Sequence, residues 1–420
     1  MIDYYRHSRP ATGPDFKQDP TDQTSQFRVT ELTIRRVGEL SADGYKVSLV
    51  DTAPRYALNA QTQQDVDREI DYLSDQKDCA SILFDPSIHP TGHAWFQLTK
   101  RAIALHTLYN VGSLTTLGEG INPDVYIEPL FEGKSAIELV EAKDGPEKAA
   151  IWHDKYKTFI NRPMDDATGY YPSSKDFLTG VIDSQAIQTR ADTAIGMVRE
   201  YLKRKPDNEK EKIVCASLAC GAAGPIFEMA CRLKSDGINA EKLILVDNDP
   251  MALASAYSLA GAYGVEDKIQ INKCNIMAGS LTDTIEPESV DVVDLLGIFE
   301  YIPKSLRLAG VHYNAAEAFL RNVLKILKPG GLVVMGNMLN DRPQQQFFKK
   351  VWPRLYQRDP KAVLEIIQES GLDPLQTEVR IPAREGVYAI YGMEKPSDIP
   401  ADKKMRNQKL ADIVMRRMTY

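Results

Sequence analysis

Ile213-Val-Cys-Ala-Ser-Leu-Ala-Cys-Gly-Ala-Ala-Gly-Pro225 is the stretch on which the fold turns. Ile213–Ala219 is an apolar run of strand length, and a turn of small residues follows it. Pro225 suits the first turn of a helix, where its missing N–H is a donor that would have no intrahelical partner anyway. A strand-turn-helix of this kind lets the backbone approach a ligand closely, with the helix start supplying N–H donors. A dinucleotide fold would be expected to show G-x-G-x-x-G here, and only Gly221 and Gly224 are present. Taken alone, the segment also fits a strand-to-helix turn that binds nothing.

Working outward, the alternation becomes regular. Strands are expected at Leu243–Val246, Ile269–Lys273, Val290–Leu296 and Leu332–Met335, and helices at Pro225–Leu233, Pro250–Tyr263, Ala315–Leu327 and Pro360–Glu369. Thr377–Ile381 and Val387–Tyr391 read as a terminal hairpin. Near-continuous apolar strands alternating with helices predict a parallel sheet covered on both faces. Upstream, a helix is expected from Ser184, a credible N-cap, to Lys205, with Ile187, Ala191, Ala194, Ile195 and Val198 at helical spacing.

The strand ends carry the chemistry, since ligands of open α/β sheets bind outside the carboxyl ends of the strands. Asp247, followed by Asn248, ends the second strand and can accept hydrogen bonds from ribose hydroxyls. Asp249 is placed better as a cap of the helix at Pro250. Asn275 follows the third strand, where its amide can reach an adenine edge while Ile276 or Met277 packs on the ring; a lone loop Asn is otherwise structural. Asp291-Val-Val-Asp294-Leu-Leu-Gly297-Ile-Phe-Glu300-Tyr301 spans the fourth strand and its exit, and Lys328-Pro-Gly-Gly331 turns the chain into the fifth.

In that order and spacing, these elements resemble class I S-adenosylmethionine-dependent methyltransferases over roughly residues 184–395. The resemblance implies a Rossmann-like, seven-stranded, doubly wound sheet ending in an antiparallel hairpin. It also implies S-adenosyl-L-methionine as cofactor, near Ala219, Gly221, Gly224, Asp247, Asn248, Asn275, Ile276, Gly297 and Glu300. Three islands, Gly297–Tyr301, Gly336–Met338 and Trp352–Arg358, resemble more narrowly the bacterial enzymes of 3-hydroxypalmitic acid methyl ester (extracellular factor) biosynthesis. That narrower likeness implies methylation of a fatty hydroxy-acid carboxylate. The chain departs from it in its long N-terminal half.

A sulfonium donor is already activated, so the protein's task is alignment, with a base needed for a hydroxyl or amine acceptor but not for a carboxylate. Glu300, Tyr301 and His312 are the catalytic candidates. Glu300 would hold the donor's ammonium or orient an acceptor, or else be a solvated loop carboxylate, and packing beneath a lid is the alternative for Tyr301. His312 is a weak base candidate, better placed as a cap or a surface residue. Tyr170, Tyr171 and Arg190 belong to a segment expected to cover the site, and Asn337 to the loop after the fifth strand. Arg190 would meet the donor's carboxylate or an anionic substrate, against the commoner alternative of a surface ion pair.

The 420 residues suggest two domains. The reading divides them into a flexible arm (1–26), a mixed α/β N-terminal domain of unknown role (27–160), a linker and cover helix (161–211), the methyltransferase-like domain (212–395) and a basic tail (396–420). In the N-terminal domain Phe27–Ile34 and Tyr45–Leu49 read as strands, and Thr62–Leu73 and His93–Tyr109 as helices. A net charge of -7 argues against a nucleic-acid partner held by phosphate neutralisation. The tail is expected to be a solvated helix rather than a contact to an anionic surface.

The sequence has neither an apolar run of about 18 residues nor an apolar leader, so integral membrane association and secretion are not expected. Five cysteines without a CxxC pair fit a reduced cytoplasmic setting, and His89 and His93 sit in a turn with too few ligands for a metal. The expectation is therefore an O-methyltransferase acting on a small molecule or acyl substrate. The alternatives are a protein or RNA methyltransferase that uses the N-terminal domain for recognition, a cofactor-binding regulator without chemistry, and a nicotinamide dehydrogenase. The absence of a D/N-P-P-Y/F motif after strand four argues against amino methylation of bases.

Overall fold

The structure, a computed structural model, describes residues 34–42, 45–52, 58–75, 146–147, 180–221, 223–248, 250–277, 281–308, 311–351 and 355–396. Its centre is a sheet of strands β1 (Ile34–Ala42), β2 (Tyr45–Thr52), β3 (Ile213–Leu218), β4 (Ala240–Asp247), β5 (Ile269–Lys273), β6 (Val290–Leu295), β9 (Leu327–Met338), β10 (Glu378–Pro382) and β11 (Tyr388–Glu394). A separate small hairpin pairs β7 (Leu306–Leu308) with β8 (Val311–Tyr313). The helices are α1 (Ala60–Asp75), α2 (Ile182–Lys203), α3 (Gly224–Ser235), α4 (Pro250–Tyr263), α5 (Ala315–Ile326), α6 (Gln345–Val351) and α7 (Pro360–Glu369).

The sheet order is β1-β2-β10-β11-β9-β6-β3-β4-β5. From β10 to β5 the strands run parallel except β11, which pairs antiparallel with both β10 and β9. This is the doubly wound α/β sheet with an antiparallel terminal hairpin that the strand-and-helix alternation predicts. The hairpin β1–β2, which the sequence reading places in the N-terminal domain, extends the same sheet, with β2 parallel to β10 in the register Val47↔Val379 to Val50↔Pro382.

Both faces are covered because strand residues send alternate side chains to opposite sides. Ala216, Leu218, Ile244, Val246, Val293 and Val333 pack with Phe319, Leu320 and Val323 of α5 and Val363, Ile366 and Ile367 of α7. Their neighbours Cys215, Leu243, Leu245, Val292 and Val334 pack with Val198 of α2, Phe227 of α3 and Leu253 of α4. Every residue of β6 is buried, as expected for a central parallel strand.

Several boundaries differ from those read in the sequence. Helix α2 starts at Ile182 with Val181 as N-cap, so Ser184 lies inside the helix and is not its cap. Lys328-Pro-Gly-Gly331 does not separate helix from strand; it is already part of β9, where Leu327 pairs with Val290 across a register shift. Gly330 takes a positive φ of 70° there, its N–H donates to Lys395 O, and Lys328 Nζ bonds Asp291 at 2.7 Å. Strand β9 also runs on through Asn337, so that residue sits within the sheet opposite Ala389 and not in the loop beyond. Residues 35–42, assigned to no element from the sequence, form most of β1, while α1 falls where Thr62–Leu73 was expected. The arm, the helix at His93–Tyr109, Tyr170, Tyr171, Asp249 and the tail lie outside the described residues.

Candidate functional site

The turn after β3 is held from the neighbouring strand. Ala219, Gly221 and Ala223 all take left-handed conformations, with φ of 54°, 54° and 59°. For the two alanines that conformation costs on the order of 1–2 kcal/mol each, a strain that must be offset by the contacts around them. Cys220 N–H donates to Val246 O at 3.0 Å, and Gly221 N–H donates to Asp247 Oδ2 at 2.9 Å. Asp247, half-buried at the end of β4, therefore fixes the glycine turn directly ahead of the N-terminus of α3. Gly224 opens that helix with Pro225 in its first turn.

Asp294 ends β6 opposite Ser217 of β3, at the point where the chain's strand order reverses. It is buried, and its Oδ1 accepts the Leu296 N–H at 3.2 Å. Burial raises its carboxyl pKa to about 6, against the lowering pull of hydrogen bonds from Ser217 and Leu296 and of the Arg190 charge. Asn275 spends its Oδ1 on Met277 N–H at 3.0 Å, closing the loop after β5, while Ile276 is packed into the core beneath it. Asn248 is exposed.

The densest polar group lies beneath α2, where β6 and β9 end and the antiparallel β11 begins. Glu300 is 2% exposed, so the solvated-carboxylate alternative fails. Arg190 of α2 is 3% exposed, so the surface-pair alternative fails as well. The two meet with Arg190 Nη1 at 3.7 Å from Glu300 Oε1, inside ion-pair range but beyond a hydrogen bond. Among the described residues both Glu300 oxygens, Arg190 Nε and Asn337 Oδ1 lack a hydrogen-bond partner. Burial raises the Glu300 pKa to about 7, although the Arg190 charge opposes it.

Local packing explains how Arg190 reaches this position. Its guanidinium lies 4.5 Å over the ring of Tyr388, which is itself buried in β11. Its stem crosses Gly336 of β9, where a Cβ would stand 3.0 Å from Arg190 Cδ. Glycine at that position is what allows a helix arginine to lie flat against the strand. Helix α2 is in turn covered by α1: Gln63 Nε2 donates to Gly180 O at 2.9 Å, and Gln185 Nε2 to Gln63 Oε1 at 3.2 Å.

The three sequence islands converge here. Tyr356 N–H donates to Glu300 O at 2.7 Å, and Asn337 Nδ2 to Tyr356 O at 3.3 Å. Arg358 Nη1 donates to Phe299 O at 3.2 Å, and Nη2 donates to Ile302 O. The segment 355–358 is thus a strap across the turn that presents Glu300. Tyr301 is 48% exposed and stands apart from the buried group. His312 lies in the β7–β8 hairpin, which is separate from the main sheet, and its side chain is outside what is described.

Asp183, Tyr388 and Arg342 are not among the sequence candidates, and Arg358 enters there only as the end of the Trp352–Arg358 island. Asp183 of α2 pairs with Arg342, and burial raises its pKa while Arg342 lowers it. For Asp183, Tyr388 and Arg342 the sequence signal is chain position alone, close to helix α2, strand β9 and strand β11; nothing in hydropathy marks a charged residue as buried.

No protein-family model matches the chain, and no curated protein matches it. Solved structures are similar at low identity. A possible exported protein from Bordetella parapertussis is 17% identical, covering 70% of this chain and 97% of its own, with a TM-score of 0.43. Magnesium protoporphyrin IX methyltransferase from Synechocystis PCC 6803, solved with bound S-adenosylhomocysteine, is 11% identical over 51% of this chain and 87% of its own, at a TM-score of 0.36. The 1,6-didemethyltoxoflavin-N1-methyltransferase of Burkholderia thailandensis is 14% identical over 53% and 86%, at 0.35. Scores of this size assign neither ligand nor reaction to this chain.

Proposed function

We propose that the chain is an S-adenosyl-L-methionine-dependent methyltransferase acting on a small molecule. The observation that carries this reading is the pairing of a pinned glycine turn with a buried, incompletely partnered polar group across the switch point of one sheet. The turn at Gly221, held by Asp247, lies on one side; Arg190, Glu300 and Asn337 lie on the other.

The residues present fit such a donor. Asp247, whose Oδ2 accepts the Gly221 N–H, would receive the ribose hydroxyls on its carboxylate. Asn275 would offer its amide NH2 toward the adenine edge, with Met277 rather than the core-bound Ile276 within reach of the ring. The unpartnered acceptors of Glu300 and Asn337 suit an ammonium group, and Arg190 Nε suits a carboxylate, which together describe an amino-acid tail. When bound, the donor supplies a methyl group activated by its sulfonium. The chain's own work is then to align the acceptor, exclude water and, for a hydroxyl or amine, accept its proton. Glu300, with its pKa near 7, suits that last task only as the alternative to holding the ammonium, since one carboxylate cannot do both.

Within this reading we favour O-methylation, with an acyl carboxylate as the narrower choice. Its support is the likeness of the Gly297–Tyr301, Gly336–Met338 and Trp352–Arg358 islands to the enzymes that esterify a fatty hydroxy acid. Calorimetry with S-adenosylmethionine, S-adenosylhomocysteine and NAD tests the central claim: the first two should bind, and binding of NAD alone would sink it.

A further inference from the structure

Four residues past the end of β9, Arg342 is buried without any exposed side-chain surface. Its Nη1 donates to the Asp183 carboxylate and touches Met338 Sδ at 3.8 Å. Its Nε and Nη2 have no partner among the described residues. These two nitrogens form one edge of the guanidinium, the fork that matches two oxygens of a carboxylate or phosphate. The same edge is filled elsewhere in this protein: Arg199 Nε and Nη2 grip the two oxygens of Asp236 at 2.6 and 2.8 Å. The face of the Arg342 guanidinium is already taken, stacked 4.1 Å over Phe348. Among the described residues the fork edge is the part of the guanidinium left unpartnered.

Position adds to this. Met338, which Arg342 touches, pairs with Tyr388, the residue on which Arg190 stacks. The buried, unpartnered fork therefore adjoins the Arg190–Glu300 group without belonging to it. Its chemistry is complementary as well, since Glu300 and Asn337 hold unpartnered acceptors and Arg342 holds unpartnered donors. We propose that the Nε–Nη2 edge of Arg342 binds an oxyanion, a carboxylate or phosphate, carried by the methyl acceptor. The identity of that ligand as the acceptor rests on the methyltransferase reading; the anion site itself does not.

Thermal unfolding of the full chain at constant ionic strength, titrated separately with inorganic phosphate and with acetate, reads the site. At least one anion should raise the melting temperature saturably, with or without saturating S-adenosylhomocysteine. Arg342→Gln should abolish the response. Arg342→Lys, which keeps the charge and stem but not the fork, should weaken it at least tenfold, and it serves if the glutamine variant does not fold. Arg204→Gln, at an exposed ion pair with Glu394, should leave the response unchanged. S-adenosylhomocysteine should bind Arg342→Lys within twofold of its wild-type affinity. No saturable response to either anion, or a response that survives in both Arg342 variants, overturns the site. Competition between the anion and S-adenosylhomocysteine, or a tenfold loss of its binding in Arg342→Lys, moves the fork to the donor's carboxylate and overturns the acceptor assignment. A wild-type chain that binds the anion through Arg342 but not S-adenosylhomocysteine retires the methyltransferase reading and keeps the anion site.

Discussion

Replacing Glu300 by glutamine changes how stability depends on pH, and the structure sets the size of the change. The carboxyl is buried, its oxygens are without hydrogen-bond donors among the described residues, and Arg190 Nη1 at 3.7 Å only partly repays desolvation. Its pKa accordingly rises from the ordinary 4.5 to about 7. Below about pH 4.5 the group is protonated in the folded and unfolded chains alike and contributes no difference. Between 4.5 and about 7 the folded state keeps a proton that the unfolded chain has lost, so stability falls as pH rises. Above about 7 both states are ionised and the penalty stays constant, at about 3 kcal/mol from the size of the rise. A glutamine side chain cannot titrate, so this dependence should vanish in the Glu300→Gln variant. Urea unfolding of both proteins from pH 4.5 to 8.5 measures it. The wild-type minus variant free energy should decline by about 3 kcal/mol across that range, whatever constant offset comes from leaving Arg190 without its carboxylate. A difference that is flat, or that grows with pH, would refute the picture of a desolvated carboxyl held up by burial.

Two further outcomes follow from the same geometry. Gly336→Ala introduces a Cβ 3.0 Å from Arg190 Cδ and 3.4 Å from Leu296 O, both at a buried site, and should cost about 1–3 kcal/mol by overpacking. Thermal melts would show it, and an unchanged or raised melting temperature would mean that the Arg190 stem is looser than its burial implies. Asp247→Ala removes the acceptor of the Gly221 N–H and, on the proposed function, the ribose contact as well. Calorimetry should then find S-adenosylhomocysteine binding weakened by roughly 1–3 kcal/mol, and equal affinity in the two proteins would dismiss that contact.

What the sequence by itself determined is the doubly wound sheet. Ile213–Leu218 and Val290–Leu295 read as near-continuous apolar strands and are central and buried in the structure, because a parallel strand covered on both faces has no polar side. The ends of β3 and β4 were legible too: Gly221 and Asp247, read separately, prove to be joined by a hydrogen bond between neighbouring strands. Local pattern did not reveal how far β9 runs, since glycine and proline at 329–331 look like a turn and only pairing with β6 and β11 keeps them in the sheet. Nor could it place β2 beside β10, a contact between segments more than 300 residues apart. Most of all, hydropathy assigns charged residues to water. Arg190 and Glu300 are candidates in the sequence, with a surface ion pair and a solvated loop carboxylate as their alternatives, and Asp183 and Arg342 carry no signal there; only the tertiary structure buries the four together, because helix α2 is laid over the ends of β6 and β9 and the start of β11 and leaves them no solvent.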